Sequence, residues 1–182
     1  MKSSNSIILF VMYSMFFIIL VIYTTLPDEL RTIERSLEFQ TIIDVEKKNL
    51  FDVMANVENY PLILPNSYVS VQILDKTDNS IISLETVKEA GIQTTFKVKH
   101  DFIQYDSHQI TILDGDAKDS SIILWFNDYD INKTRILVKS DLKLKGIMIP
   151  FGIIPDENIH HAFNTVLNGF TEYLEKTKNQ NS

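Results

Sequence analysis

Residues 45–65 read VEKKNLFDVMANVENYPLILP, and this stretch decides the fold. Leu50, Phe51, Val53, Met54 and Val57 recur at helical spacing with charges on the other face, which predicts an amphipathic helix over Glu46–Val57. Asp44 is a candidate N-cap. Tyr60-Pro61 stops the helix, and Pro65-Asn66 closes a second apolar turn at Leu62-Ile63-Leu64. Just before this stretch, Leu37 to Ile43 alternates like a half-buried strand.

Beyond it the period stays at two. Strands are expected at Val69–Ile73, Ile81–Lys88, Thr94–Phe102, His108–Leu113, Ser121–Phe126 and Thr134–Lys145. Lys76-Thr77-Asp78-Asn79, Glu89-Ala90-Gly91, Asp114-Gly115 and Asn127-Asp128 supply the turns. In the last strand Ile136, Val138, Ser140, Leu142 and Leu144 share the inward face. The final element is a long helix. From Ile159 the apolar positions Ala162, Phe163, Val166, Leu167, Phe170, Tyr173 and Leu174 follow a 3.6 period, with Pro155-Asp156 at the start. One strand, two short helices, six strands and a long helix argue an α+β fold, an antiparallel sheet covered on one face by the C-terminal helix.

Composition narrows the function. The 182 residues contain no cysteine, which removes disulfides, thiolate nucleophiles and Cys-ligated metal centres. The five glycines are scattered, so there is no Gly-rich phosphate loop. Residues 28–182 carry sixteen Lys+Arg against twenty-four Asp+Glu, a formal charge of −8, and no basic stripe. Nucleic acid is therefore not an expected partner. Nor does the sequence signal a cofactor.

Residues 7–23 form a run with no charge and only Ser14 clearly polar. At about 1.5 Å per residue, 17–20 such residues reach roughly 26–30 Å, the thickness of a bilayer core. The run is longer than a signal peptide's apolar region, and its exit at Ile22–Pro27 lacks a small-residue cleavage site. Residues 1–27 are thus expected to be an N-terminal transmembrane anchor of a single-pass membrane protein. Lys2 and the α-amine stand against Arg31 and Arg35, so the charge rule leaves the side carrying the domain open. Residues 28–36 are expected to be a linker, 37–178 the folded domain and 179–182 a disordered tail.

Several residues in this order resemble the START-like (SRPBCC) helix-grip superfamily, in particular its polyketide cyclase/dehydrase and coenzyme-Q-binding branch. They are Val45–Val53, Asn56-Val57-Glu58-Asn59-Tyr60-Pro61 with Leu64-Pro65, then Asp114-Gly115, Leu124-Trp125-Phe126 and Lys133-Thr134. The resemblance spans roughly residues 37–176. Gly115 is followed by Asp116 where quinone-binding members usually carry Pro, so quinone does not follow as the ligand. What the resemblance implies is a curved sheet of about seven strands gripping the C-terminal helix around an apolar cavity. Such a cavity takes lipids, quinones, sterols, isoprenoids or polyketides, and some members cyclise or dehydrate what they bind.

On that reading the cavity-lining candidates are Phe96, Val98, His100, Trp125, Phe151, Phe163, Leu167 and Phe170. His100 shares its strand face with Phe96, Val98 and Phe102 and is the candidate acid/base, set against a hydrogen-bonded core histidine. His108 is expected to be exposed at a strand end, and Glu85 to be a solvated carboxylate. His160 and His161 are adjacent and point about 100° apart, so one helix cannot chelate a metal with both. Residues 146–155, GIMIPFGIIP, carry no charge and must touch core, ligand or lipid. They are expected at the cavity entrance, as a lid or a membrane-touching wedge. Inward polar residues are few, namely His100, Ser140 and Thr41, which favours a binding module for an apolar small molecule. A cyclase/dehydratase acting in the same cavity and a filled-core interaction domain are the alternatives.

Overall fold

A computed structural model describes residues 2–27, 31–89 and 91–180. The chain divides into two compact units, Met1–Thr32 and Ile33–Ser182. In the first, α1 (Lys2–Thr25) is a 24-residue helix. Its described side chains include the unbroken run Val11–Ile22, mostly exposed. Among the described residues no helix is long and apolar enough to cross a membrane, so the expected span over residues 7–26 is not borne out here.

The second unit contains β1 (Ile33–Ile43), α2 (Lys47–Ala55), α3 (Tyr60–Ile63) and β2 (Tyr68–Lys76). Then follow β3 (Ser80–Glu89), β4 (Ile92–Ile103), β5 (Ser107–Ile112), β6 (Ser121–Asp130) and β7 (Lys133–Leu144). A short helix, α4 (Ile149–Gly152), leads into α5 (Asp156–Gln180). The strands form one antiparallel sheet in the order β1-β7-β6-β5-β4-β3-β2. The two strands earliest in the chain therefore lie at opposite edges, and α2 and α3 carry the chain between them. Bulges in β2 and β6 bend the sheet where the ladder slips. Every sheet ladder and both apolar core clusters lie inside this unit, so it contains what it needs to fold.

The two-residue alternation places one face of every strand against α2, α3 and α5. Leu50, Phe51, Val53 and Met54 from α2 meet Leu124, Phe126, Ile136 and Val138 from the sheet and Leu167 and Phe170 from α5. The Tyr60 hydroxyl donates to the Met54 carbonyl at 2.6 Å, which closes the corner between α2 and α3. A second, smaller cluster joins Phe96, Val98, Ala117 and Leu144, with Met148 and Phe151 packed on it.

Two boundaries and one cap differ from expectation. The first strand begins at Ile33, so the expected linker 28–36 overlaps the sheet; residues 28–30 lie outside the described residues. Its extra length is set by pairing, since Ile33–Ser36 face Leu144–Asp141 of β7. Asp44 makes no cap bond and instead pairs with Lys133 at 2.8 Å. Of the expected tail 179–182, residues 179 and 180 continue α5, and 181–182 lie outside the described residues. Ala90 of the expected hairpin turn also lies outside them.

Residues 146–155 are pinned at both ends. Gly146 turns the chain with φ +53°, and the Asp116 carboxylate beside it accepts the Ile147 N–H at 2.9 Å, while the Asp116 carbonyl accepts the Lys145 N–H at 2.8 Å. At the other end the Arg35 guanidinium donates to the carbonyls of Gly152 and Ile154 and pairs with Asp156. A Cβ at Gly146 would sit 2.2 Å from Asp116 Oδ2 in a backbone region that L-residues avoid. Gly146→Ala is expected to cost about 1–3 kcal/mol. Chemical denaturation of the Ile33–Ser182 unit measures it, and a loss below about 0.5 kcal/mol would mean that the corner is not held in this way.

Candidate functional site

The inward face of the sheet is not uniformly apolar. On β3, Ser83 and Glu85 point inward, and on β4 and β5 so do His100 and His108; all four are buried. They form one hydrogen-bonded chain. The Ser83 hydroxyl donates to Glu85 Oε1 at 2.6 Å, and the same oxygen lies 2.6 Å from His100 Nε2. His100 Nδ1 lies 2.9 Å from His108 Nε2. The other nitrogen of His108, Nδ1, is buried and has no partner. Backbone register builds this chain, because Ile81 opposes His100 and Phe102 opposes His108, so the three strands bring their side chains to one seam.

Aromatic rings wall the seam. Phe102 stacks on His100 at 6.2 Å and lies 4.5 Å from the His108 ring. Tyr60 meets His100, Tyr68 and Phe170 edge-on. Burial, then the Glu85 charge and its hydrogen bond, push the Tyr68 hydroxyl far above the usual phenol range. Burial, Tyr68 and Glu85 do the same to Tyr60. Burial first, and His100 second, hold His108 well below the ordinary imidazole value. His108 is therefore a neutral imidazole in the folded protein.

Sequence reasoning placed His100 correctly on the face of Phe96, Val98 and Phe102, and it is fully buried as a hydrogen-bonded core histidine. It misplaced both its partners. His108 is 1 % exposed rather than solvent-facing, because the strand starts at Ser107 and pairs it between Phe102 and Leu124. Glu85 is 3 % exposed, since the β3 face that carries Ile81 and Ser83 points inward. Inward polar content is correspondingly higher than expected. The signal that could have found these residues is Glu85's position in register with Ile81 and Ser83 on an otherwise apolar strand face.

The other candidates separate into three places. Leu167 and Phe170 are packed into the main core, and Phe96 and Val98 into the second cluster. Trp125 alternates with Leu124 and Phe126, which are core, and so faces the other side of the sheet. Phe163 of α5 lies half-buried over Phe39, and Phe151 lies half-buried on the second cluster. Between the two clusters, Ile110, Ile122 and Leu142 point inward and yet are only half-buried. The same layer holds two further buried polar atoms without partners, Ser140 Oγ on β7 and Asn164 Oδ1 on α5, one turn before Leu167. In residues 146–155, Ile147 and Ile153 are exposed to 56 % and 73 % while Met148 and Phe151 turn to the core.

His160 packs its ring 4.4 Å from Phe39. Among the described residues no group of three His, Asp or Glu side chains could hold a metal ion. Two surface depressions flank α5, one of about 770 Å³ against Leu62–Ser67 and one of about 630 Å³ against Asp44–Glu46, and neither is lined by His100.

A seven-stranded antiparallel sheet closed by a long C-terminal helix over an inward polar seam defines a helix-grip α+β protein. The chain belongs to the polyketide cyclase / dehydrase and lipid transport family, whose model matches residues 43–155. Its fold is similar to that of the Zhui aromatase/cyclase from Streptomyces sp. R1128, at a TM-score of 0.62 and 16 % identity over 79 % of this chain and 94 % of that one. It is also similar to a START superfamily protein from Mycobacterium smegmatis, at a TM-score of 0.59 and 13 % identity over 81 % and 99 % of the two chains. Norcoclaurine synthase from Thalictrum flavum shares the fold at a TM-score of 0.56 and 10 % identity over 76 % and 87 %. The expected superfamily is thereby confirmed. No curated protein sequence matches the chain.

The buried groups fix how stability depends on pH. Below the ordinary imidazole value of about 6.5 the unfolded chain takes up a proton that folded His108 refuses, so its contribution is complete above that pH and is lost as pH falls through it. Above about 10 the unfolded chain ionises tyrosines that Tyr60 and Tyr68 keep neutral, so stability falls again. Melting temperature is accordingly expected to fall as pH drops below about 6.5 and as it rises above about 10. In His108→Phe the fall between pH 6.5 and 5 is expected to become shallower; an unchanged slope would assign it to other groups.

Proposed function

We propose that the domain binds an apolar small molecule carrying at least one oxygen function, in the layer between the sheet and α5. The observation that carries this is the half-buried inward patch Ile110, Ile122, Leu142 and Phe163, in which Ser140 Oγ and Asn164 Oδ1 are buried without partners. Inward side chains of a filled core lose nearly all their exposure and pair their polar atoms. Here the apolar atoms are available to a guest and the two polar atoms wait for its hydrogen-bonding groups. Membership of a family described by polyketide cyclases, dehydrases and lipid transport agrees with an oil-like guest.

Residues 146–155 form the entrance in this reading. Phe151 closes on the second cluster while Ile147 and Ile153 face outward, the arrangement of a flap with an apolar outer surface. Helix α1 holds the domain at a membrane. Its described side chains from Val11 to Ile22 are almost all apolar and exposed, a surface suited to contact with lipid. An anchor keeps the domain close to a bilayer-dissolved guest and raises its effective concentration.

The Ile33–Ser182 unit, purified without detergent and extracted with organic solvent, is expected to release a stoichiometric apolar compound detectable by mass spectrometry. Ile122→Trp is expected to abolish that recovery while leaving the melting temperature within a few degrees, because in this reading the added ring takes the place of the guest. A loss of roughly 1–3 kcal/mol in the same variant would indicate overpacking of a filled layer and would favour the interaction-domain alternative. For the anchor, full-length chain is expected to stay in the membrane pellet after alkaline carbonate washing, and release into the supernatant would contradict it.

A further inference from the structure

The buried seam has a direction. Glu85 Oε1 lies 2.6 Å from His100 Nε2, and an ionised carboxylate can only accept there, so with Glu85 charged that nitrogen carries a hydrogen. The bond between His100 Nδ1 and His108 Nε2 contains one hydrogen, and two arrangements could supply it. If His108 supplied it, His100 would be neutral and the Glu85 carboxylate would be buried without a counter-charge. If His100 supplies it, His100 is cationic, its charge cancels that of Glu85, and both its N–H groups are used. Buried charges persist when paired and fully hydrogen-bonded, which selects the second arrangement. His108 then accepts at Nε2, and its single hydrogen must sit on Nδ1. The low proton affinity that burial and His100 impose on His108 agrees with a neutral ring there.

The consequence is an N–H donor, held inside an apolar layer with nothing to receive it. A buried donor left unmet is costly, and a guest acceptor would remove that cost. We propose that His108 Nδ1–H is the hydrogen-bond donor for a carbonyl oxygen of the guest, and that Glu85 and His100 are positioning residues that keep the hydrogen on that nitrogen. This rests on the apolar-guest reading above, because Ile110, the next inward residue on β5, belongs to the patch assigned to the guest. The Phe102 ring covers His108 at 4.5 Å and also borders a polar surface depression of about 350 Å³ lined by Asp52, Lys76, Asp78 and Gln104. The guest chemistry selected at this end is thus an apolar ketone, aldehyde or ester. Ser140 and Asn164 lie elsewhere in the layer and complement other groups.

Two probes that differ by the carbonyl test the assignment on the Ile33–Ser182 unit: 6-propionyl-2-(dimethylamino)naphthalene and 2-(dimethylamino)naphthalene. The ketone is expected to bind roughly tenfold more tightly than its carbonyl-free parent, the ratio one buried hydrogen bond supplies. Its carbonyl stretching band is expected to move to lower frequency on binding to the unaltered domain. In His108→Phe the ketone should lose its advantage, so that the two probes bind equally. In Glu85→Gln the charge that fixes the hydrogen on His108 is gone, and the ketone preference should again be lost. Equal binding of both probes to the unaltered domain, with no carbonyl shift, overturns the donor assignment and leaves the apolar-guest reading standing. Binding of neither probe overturns that reading and this inference together.

Discussion

One carboxylate constrains the interior. Glu85 sits on the inward face of a strand whose neighbours bury it completely, and a charge in that position must find an opposite charge and enough donors. His100, Ser83 and Tyr68 meet those needs from three strands, β4, β3 and β2. The requirement also fixes register. A one-residue slip of β4 against β3 would carry His100 to the outer face and strand the carboxylate, on top of the penalty of exposing that strand's apolar face. The seam works as a polar key for pairing the strands next to the β2 edge of the sheet, added to the register that apolar alternation already sets.

The same seam divides the core. On one side, α2 and the C-terminal half of α5 pack Leu50, Phe51, Leu167 and Phe170 to native tightness. On the other, Phe96, Val98 and Leu144 pack against residues that follow β7. Ile110 touches both groups and belongs wholly to neither. An α+β sheet covered by a single long helix has this geometry built in, since one helix cannot cover seven strands. The uncovered remainder is closed by short irregular elements, and those are where the half-buried apolar side chains collect.

Much of this was legible in the sequence because it rests on period. The seven strands, the order of elements and the inward set Ile136, Val138, Ser140, Leu142 and Leu144 follow from alternation, which is a local property. What period could not supply was the second coordinate, namely which strands lie side by side. Glu85 and His108 look like ordinary surface residues until β3, β4 and β5 are paired, and only their register shows that they share one hydrogen-bonded chain with His100. Trp125 failed for a simpler reason. An unbroken apolar run carries no phase, so the face of each residue in Ser121–Phe126 was undetermined until β7 paired with it. Arg35 was read as part of a linker because its carbonyl partners lie more than a hundred residues away.

The two clamps on residues 146–155 bear on rates. Asp116 holds the first corner and Arg35 the last, and neither belongs to the apolar layer beneath. Contacts that hold a flap shut without touching what it covers alter the height of the opening barrier and leave the occupied state's own contacts alone. With residues 146–155 as the proposed entrance, residence time would be separable from affinity: the first set by one polar side chain at each end of a charge-free segment, the second by the layer beneath it.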